Sequence, residues 1–480
     1  MLPGVLTVPR SRQDDADALR ARYPAVVYRA CSAERLPGGD AVTFAAELAT
    51  LSPAGPELTF RPEVTIEGIP GDHPPEVLEL IAFHLGLAEL PSYWKATCSA
   101  EIVVEAGPLA PEQLDWLHTV LLNGMGEYFY VNGIDFTAPG FVTYRAAADD
   151  GGPGPDRRER DPAGVLVPVS GGKDSVVTWE TLRSTGLDPV AMALNPTRAA
   201  EAVLAVSGPA RVIRARRRID PALLELNAAG YLNGHTPFSS YLAVLTTACA
   251  MLAGLGRVAM SNERSSDEGN VTWLGRSINH QWSKSLAFER GFRANAGAYL
   301  ATGVEYFSLL RPLYELQISA LFAATPGGYH RAFRSCNRGQ ALGIWCGTCP
   351  KCLGVYTLLS PFVEPDELAA IFGHDLFADE GLAALAMDLL TPEAKPFECV
   401  GTHDETLAAF HMASARLRSS VRPPARVLPP LLAMVDERVL RHEHDLDARA
   451  AALLGAWTGE HEVPAELAGA VHAAAGRLSR

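Results

Sequence analysis

Short runs of apolar and β-branched residues, each closed by Pro, Gly or Asp, fill the chain from Tyr23 onward. Residues 25–29, 41–46, 58–60 and 63–66 read as strands on that pattern. The period then lengthens. Pro75-Glu76-Val77-Leu78-Glu79-Leu80-Ile81 opens a predicted helix with proline near its start. A strand at 100–105 and a helix from Pro111 to about Asn123 follow. This mixture predicts an α+β domain over 21–147, preceded by a flexible end at 1–20. Residues 148–162 read as a linker, with Gly151-Gly152-Pro153-Gly154-Pro155 and a charged run to Asp161. Two aromatic stretches are expected in the core, because large aromatics usually supply buried area. They are Trp94-Lys95-Ala96-Thr97-Cys98 and Gly126-Glu127-Tyr128-Phe129-Tyr130-Val131-Asn132.

Past the linker the pattern becomes strand–helix alternation. Strands are predicted at 165–169, 190–194, 210–214 and 257–260, with 306–310 a candidate fifth. Helices are predicted after 175, at 197–206 and over 236–255. Such alternation implies right-handed crossovers and a parallel sheet covered on both faces, an α/β fold over 163–360. Ligands of these sheets lie beyond the carboxyl ends of the strands, where Ser170, Asn195 and Ser261 fall. The remainder, 361–480, reads as a helical C-terminal region, with helices at 365–372, 380–390, 406–417 and 431–454.

Composition narrows the partners. A chain of 480 residues suggests roughly three domains of ~150 residues each. Net charge is −14, so nothing points to the basic face of a nucleic-acid-binding protein. The longest apolar run, 242–255, is too short to span a bilayer, and 1–20 lacks the apolar centre of a secretion signal. Eight cysteines are too few for a disulfide scaffold and half of them cluster. A cytoplasmic protein acting on a small molecule, without membrane or nucleic acid, is the expectation.

The chemistry starts at Ser170-Gly171-Gly172-Lys173-Asp174-Ser175, between a predicted strand and helix. Backbone N–H groups of such a turn and the helix N-terminus behind it attract anions. Glycine lets the main chain come close, and lysine can reach phosphate oxygens. It is not a Walker A loop, since Asp174 follows Gly172-Lys173 and Val167 stands where the first glycine should be. A chance glycine turn is the plain alternative. The hexapeptide resembles the pyrophosphate loop of the N-type ATP pyrophosphatases. That resemblance implies an ATP-pyrophosphatase (HUP-like) core in which these six residues bind ATP and Lys173 bears on its phosphates. ATP would be cut between the α and β phosphates.

Cys336, Cys346, Cys349 and Cys352 give C-x9-C-x2-C-x2-C. Thiolates so spaced can converge on a tetrahedral Zn²⁺, and four of them would close the site, making it structural. An iron–sulfur cluster, a redox pair or plain core packing are the alternatives. The cluster resembles that of the 7-cyano-7-deazaguanine synthases. Directly after the 257–260 strand, the loop 261–270 carries Glu263, Asp267 and Glu268, candidates for Mg²⁺ accompanying ATP or for substrate. A solvated acidic loop is the bland reading. His280 is a candidate acid/base, although a lone histidine is more often structural. Cys399 and His403, in Pro396-Phe397-Glu398-Cys399-Val400-Gly401-Thr402-His403-Asp404-Glu405, are candidates for proton transfer. The basic run 211–218 could steer a diphosphate, but such runs are usually solvated faces. His442-Glu443-His444 lacks the spacing of a zinc helix.

The stretches SYWKATCS, GEYFYVNGIDF, SGGKDS, SNERSSDEGN, NHQWSKS, WCGTCPKC and PFECVGTHDE, spread over most of the chain, resemble the UDP-N-acetylmuramoyl-L-alanyl-L-glutamate epimerase (MurL) family. The resemblance implies ATP-dependent inversion of the terminal L-Glu of a UDP-muramoyl dipeptide in peptidoglycan synthesis, with release of AMP and diphosphate. Adenylating the carboxylate would remove its charge and make the neighbouring proton acidic enough for a modest base. Two other readings share these motifs. One is an amidating ligase or tRNA- or deazapurine-modifying enzyme, the other an ATP-sensing binding protein.

Overall fold

The computed structural model describes residues 11–53, 55–69, 71–147, 154–392, 394–419 and 427–478. Residues 1–10 of the expected flexible end, and 148–153 of the expected linker, lie outside them. The strands are β1 (Ala25–Arg35), β2 (Ala41–Leu51), β3 (Leu58–Phe60), β4 (Glu63–Glu67), β5 (Glu101–Val104), β6 (Thr143–Ala146), β7 (Asp161–Pro168), β8 (Val190–Leu194), β9 (Val212–Arg218) and β10 (Leu255–Met260). A hairpin of β11 (Val271–Trp273) and β12 (Arg276–Ile278) and a last strand β13 (Glu305–Ser308) complete them.

One eleven-stranded sheet runs β13-β10-β7-β8-β9-β4-β2-β1-β5-β6, with β3 beside β2. From β13 to β9 every pairing is parallel. β7 is covered on both faces, which is why Val165, Leu166 and Val167 form an unbroken apolar run, each at most 1% exposed. The chain leaves β7 toward β8 and β9 on one side and returns to β10 and β13 on the other. The point where the direction reverses, between the carboxyl ends of β7 and β10, is where open α/β sheets hold their ligands.

The α+β region does not stand apart from this core. β4 pairs antiparallel with β9, in register from Glu63↔Arg218 to Glu67↔Arg214. The basic run is therefore a strand whose arginines meet acids of their own chain. Arg218 Nη2 lies 2.8 Å from Glu63, Arg216 Nε 3.2 Å from Glu67, and Arg217 Nη2 2.6 Å from the buried Glu89. Opposite charges facing across a strand pair stabilise the pairing. The helix Pro75–Trp94 from the first region packs its Leu80, Ile81 and Leu85 into one core with Leu245, Phe288 and Phe292.

Three other expectations are corrected. Gln13–Arg22 is a helix rather than part of a loose end: Ala16 is buried, and Arg20 donates to the Cys98 and Phe141 carbonyls. Asp14 and Asp15 fall in its first turn and Arg20 and Arg22 in its last, as the helix dipole favours. The end of the expected linker is packed too, with buried Asp156 held by Arg158 and Arg160, and β7 already begun at Asp161. The predicted 431–454 helix is two, Pro430–Arg438 and Leu446–Leu454. Asp445 between them adopts φ +55°, a left-handed conformation Asp tolerates. The C-terminal helices share one core with the helix after β7. Val176 and Trp179 belong to the same cluster as Leu407, Phe410 and Leu431.

Candidate active site

The glycine loop sits at the switch point. Ser170 opens the turn after β7, and the helix Lys173–Ser184 starts from Gly172 with no side chain capping its first N–H groups. Gly171 has φ +91°, and a Cβ there would sit 2.6 Å from the carbonyl carbon of Ala199. Only glycine lets the turn approach the helix Arg198–Ser207 this closely. Ser175 Oγ donates to the Gly172 carbonyl at 3.0 Å. Across the switch point Ser261, next after β10, has a buried Oγ without a hydrogen-bond partner. An uncapped helix N-terminus, a close-approach glycine and an orphaned hydroxyl fit a phosphate-bearing ligand.

Lys173 points inward. It is 1% exposed, with Nζ 2.5 Å from Asp174 Oδ1 and 3.1 Å from Glu315 Oε1. The contact with Glu315 is an ion pair without hydrogen-bond alignment, for that oxygen has no aligned donor. Burial works against the lysine's charge, but Asp174 and Glu315 outweigh it and hold the ammonium above its ordinary range. Glu263 belongs to the same group. Burial pushes its carboxyl up to about 7, with Lys284 opposing and Asp174 and Glu315 adding to the rise. Buried Glu263 and Glu315 and the partly exposed Asp174 surround one lysine, and carboxylate oxygens are the ligands Mg²⁺ takes.

Of the other acids expected at this edge, Asp267 accepts from the Leu286 backbone N–H at the start of the helix Leu286–Tyr299 and lies 3.5 Å from Arg311. Glu268 lies 3.2 Å from Lys395 and accepts from the His403 backbone N–H. Arg311, 1% exposed, ties this loop together by donating to the Glu263 and Lys284 carbonyls.

Cys399 is partly exposed and surrounded by cations. Lys284 Nζ donates to its Sγ at 3.2 Å, the His280 imidazole lies close enough to act on the thiol's charge, and Lys351 contacts its backbone carbonyl. Burial alone would push the thiol up; Lys284, His280 and Lys351 together bring it down to about 5. A thiolate is thus present at neutral pH, ready as base or nucleophile. Lys351 also lies 3.9 Å from Glu315, so a carboxylate and a lysine link Cys399 to the glycine loop. His403, neighbour of Cys399 in sequence, turns away: it begins the helix His403–Ser419 and its Nε2 meets the Leu390 carbonyl at 2.9 Å. His280 lies close to the thiol. Its Nδ1 donates to Glu127, and the tilted ring of His235 lies beside it with ring centroids 4.3 Å apart.

Cys336, Cys346, Cys349 and Cys352 converge. Their sulfurs stand 4.0 Å (Cys336–Cys349), 3.7 Å (Cys346–Cys352) and 3.5 Å (Cys349–Cys352) apart. Zn–S bonds of about 2.3 Å in a tetrahedron give S–S edges of roughly 3.8 Å, so the four thiols fit zinc. Gly347 makes the knuckle at φ +73°, where a Cβ would lie 2.9 Å from His374 Cε1. The knuckle also places Lys351, between Cys349 and Cys352, beside Cys399. A small apolar cavity of about 50 Å³, lined by His84, Trp116, Tyr144 and Phe292, shares no residue with any of these groups.

Sequence reasoning missed Lys284, Lys351, Glu315, Glu127 and His235. Lys284 and Lys351 lie inside stretches singled out for other residues. Glu315 carries no local signal; it opens the helix Glu315–Ala323, far from the loop in sequence.

Fold and site together define an α/β protein with a phosphate-type glycine cradle at the carboxyl edge of its parallel strands, an adjacent thiolate, and a convergent four-cysteine cluster. The chain belongs to the MurL family: the family model for the MurL N-terminal domain matches residues 23–309, and that for the MurL C-terminal domain matches 332–444. It is 40% identical over 343 residues to a Salinispora tropica protein named UDP-N-acetyl-alpha-D-muramoyl-L-alanyl-L-glutamate epimerase, covering 70% of this chain and 72% of the relative. A Micromonospora protein of the same name is 39% identical over 73% of this chain and 78% of its own length. One from Xanthomonas oryzae is 33% identical over 78% and 84%. No solved structure shows a significant match. Among the described residues no helix is long and apolar enough to cross a membrane.

Proposed function

We propose that this protein is an ATP-dependent epimerase that inverts the terminal L-Glu of UDP-N-acetylmuramoyl-L-Ala-L-Glu to D-Glu for peptidoglycan synthesis, releasing AMP and diphosphate. The observation that carries this reading is the low-pKa thiol of Cys399 joined, through Lys351 and Glu315, to the glycine loop. Ser170, Gly171, Gly172, Asp174 and Ser175 would cradle the phosphates, and Asp174, Glu263 and Glu315 would hold Mg²⁺. Lys173, neutralised by carboxylates in the free protein, would turn to the phosphates when Mg²⁺ engages those carboxylates. ATP supplies the adenylyl group that converts the glutamate carboxylate into a mixed anhydride.

Without that step the carboxylate's own charge opposes loss of the α-proton. As a neutral acyl group it lets the developing enolate be stabilised, and a positioned base then contributes about 10²–10⁴-fold. Cys399 is that base: its thiolate takes the proton, Lys284 and the His280 imidazolium having kept it ionised. Inversion requires the proton to return from the other face, and hence from a different donor. Hydrolysis of the anhydride frees the acid.

The test is incubation with ATP, Mg²⁺ and the UDP-muramoyl-L-Ala-L-Glu substrate, followed by AMP quantification and chiral analysis of the glutamate. AMP formed together with D-Glu is the expected result. D-Glu without AMP, an amide product requiring ammonia, or ATP bound without turnover would each overturn the proposal.

A further inference from the structure

We propose that Glu127, on the helix Gly126–Asn132 of the N-terminal region, is a positioning residue for proton transfer: it anchors the His280 ring that partners Cys399. The inference rests on the reading of Cys399 as the base. Glu127, His280 and Cys399 come from three separated segments; the carboxylate holds the imidazole, and the imidazole acts on the thiol.

Their arrangement is held in place. His280 Nδ1 donates to Glu127 Oε2, which leaves the other ring nitrogen for Cys399. The His280 backbone N–H donates to Asn270 Oδ1 at 2.7 Å, and Asn270 Nδ2 donates to the Pro396 carbonyl at 2.8 Å. One asparagine thus sets the ring and the Cys399 loop relative to each other. His235 closes the remaining side, its Nδ1 3.7 Å from Glu127 Oε2. Burial, helped by the charges of His280, Lys284 and Lys95, drives His235 down to about 3. It is therefore neutral and does not compete with His280 as a charged partner for the carboxylate.

The charged and titratable groups facing His280 are Glu127, His235, Cys399, Glu398 and Lys284. Burial opposes its charge, while Cys399 and Glu127 raise it to about 9. In the step itself the thiolate takes the α-proton and becomes a neutral thiol. The electron pair stays on the acyl group as an enolate, and the imidazolium keeps its own proton. A carboxylate behind the ring fixes its orientation and favours its charge, as carboxylates orient metal-bound and triad histidines.

The experiment compares Glu127→Gln and Glu127→Asp with the parent protein. One readout is the pH profile of deuterium exchange from solvent into the substrate α-carbon, measured with ATP and Mg²⁺. The other is the pH profile of iodoacetamide alkylation at Cys399, resolved by peptide mass spectrometry. We expect Glu127→Gln to lower exchange by about 10–100-fold. By freeing the ring it should also raise the pH at which exchange sets in and the pH at which Cys399 becomes alkylatable. Glu127→Asp should restore both profiles in part. A rate loss with both profiles unmoved would show a merely structural role and overturn the proposal. So would a divalent ion bound in the parent and lost in both Glu127→Gln and His235→Ala, which would make these residues metal ligands. If the parent itself makes no AMP, the functional reading fails, yet the alkylation profiles still decide the role of Glu127.

Discussion

Replacing Lys284 with Met puts the electrostatics of Cys399 to a quantitative test. The substitution keeps the length of the side chain and removes an ammonium 3.2 Å from Sγ. In the parent the thiol lies at about 5 rather than 9. At about 1.4 kcal/mol per pKa unit, the thiolate is favoured by roughly 5 kcal/mol over an ordinary thiol. Burial contributes with the opposite sign, so the cations supply more than that sum, and Lys284 is the foremost of them. An opposite charge at this range shifts a pKa by about 1–3 units. Without Lys284 the midpoint should therefore climb to roughly 7 or above, with His280 and Lys351 remaining. The assay is alkylation by iodoacetamide across pH, followed on the Cys399 peptide so that partly exposed Cys31 and Cys346 do not contribute. Near pH 6 the variant should react about tenfold more slowly, and above about pH 9 the two should converge, because only the ionised fraction differs. Superimposable profiles would refute the assignment of the low pKa to Lys284. A slower rate at every pH would point instead to blocked access.

Gly171→Ala forces a Cβ to within 2.6 Å of Ala199 at φ +91°, so AMP formation should fall by at least about 10²-fold while Cys399 alkylation is unchanged. Solvent exchange at the α-carbon should rise as Cys399 ionises near 5 and then level off. Purified protein should carry a zinc ion that Cys349→Ser releases, with a lower melting temperature, measured by elemental analysis and thermal denaturation. Arg217→Met should destabilise by about 3–5 kcal/mol by leaving Glu89 buried and unpaired, and Arg217→Met with Glu89→Leu should recover much of that in thermal melts.

Elements with strong local signals are legible in the amino-acid sequence itself. β8 spans the residues its apolar run marks, and the helix Pro365–Phe372 runs from its proline to the residue before its left-handed glycine. The aromatics of the first region are core, as their size suggests: Trp94, Tyr128 and Phe129 are fully buried. What escapes a sequence reading is tertiary. Nothing near Arg216 or Arg218 in sequence announces glutamates on β4 as their partners. Chain proximity sets His403 beside Cys399, yet the helix opening at His403 swings its ring to Leu390, and His280 arrives from another segment. Glu315 and Glu127 look like ordinary first-turn acids of their helices, where the dipole alone would justify them.

The β4–β9 seam has a consequence for how the chain is made. Glu63 and Arg218 lie 155 residues apart, so β4 leaves the ribosome long before its partner strand exists. At about 5–20 residues per second, the half-built sheet waits roughly ten seconds or more with an open edge. Unpaired edges of this kind invite pairing with other chains. Here the waiting edge carries Glu63 and Glu67, whose like charges repel a second copy of the same edge and attract only the arginine strand that comes later. The acids that complete the folded sheet also serve as its gatekeepers during synthesis. A chain truncated before β9 would lose the partner and keep the edge.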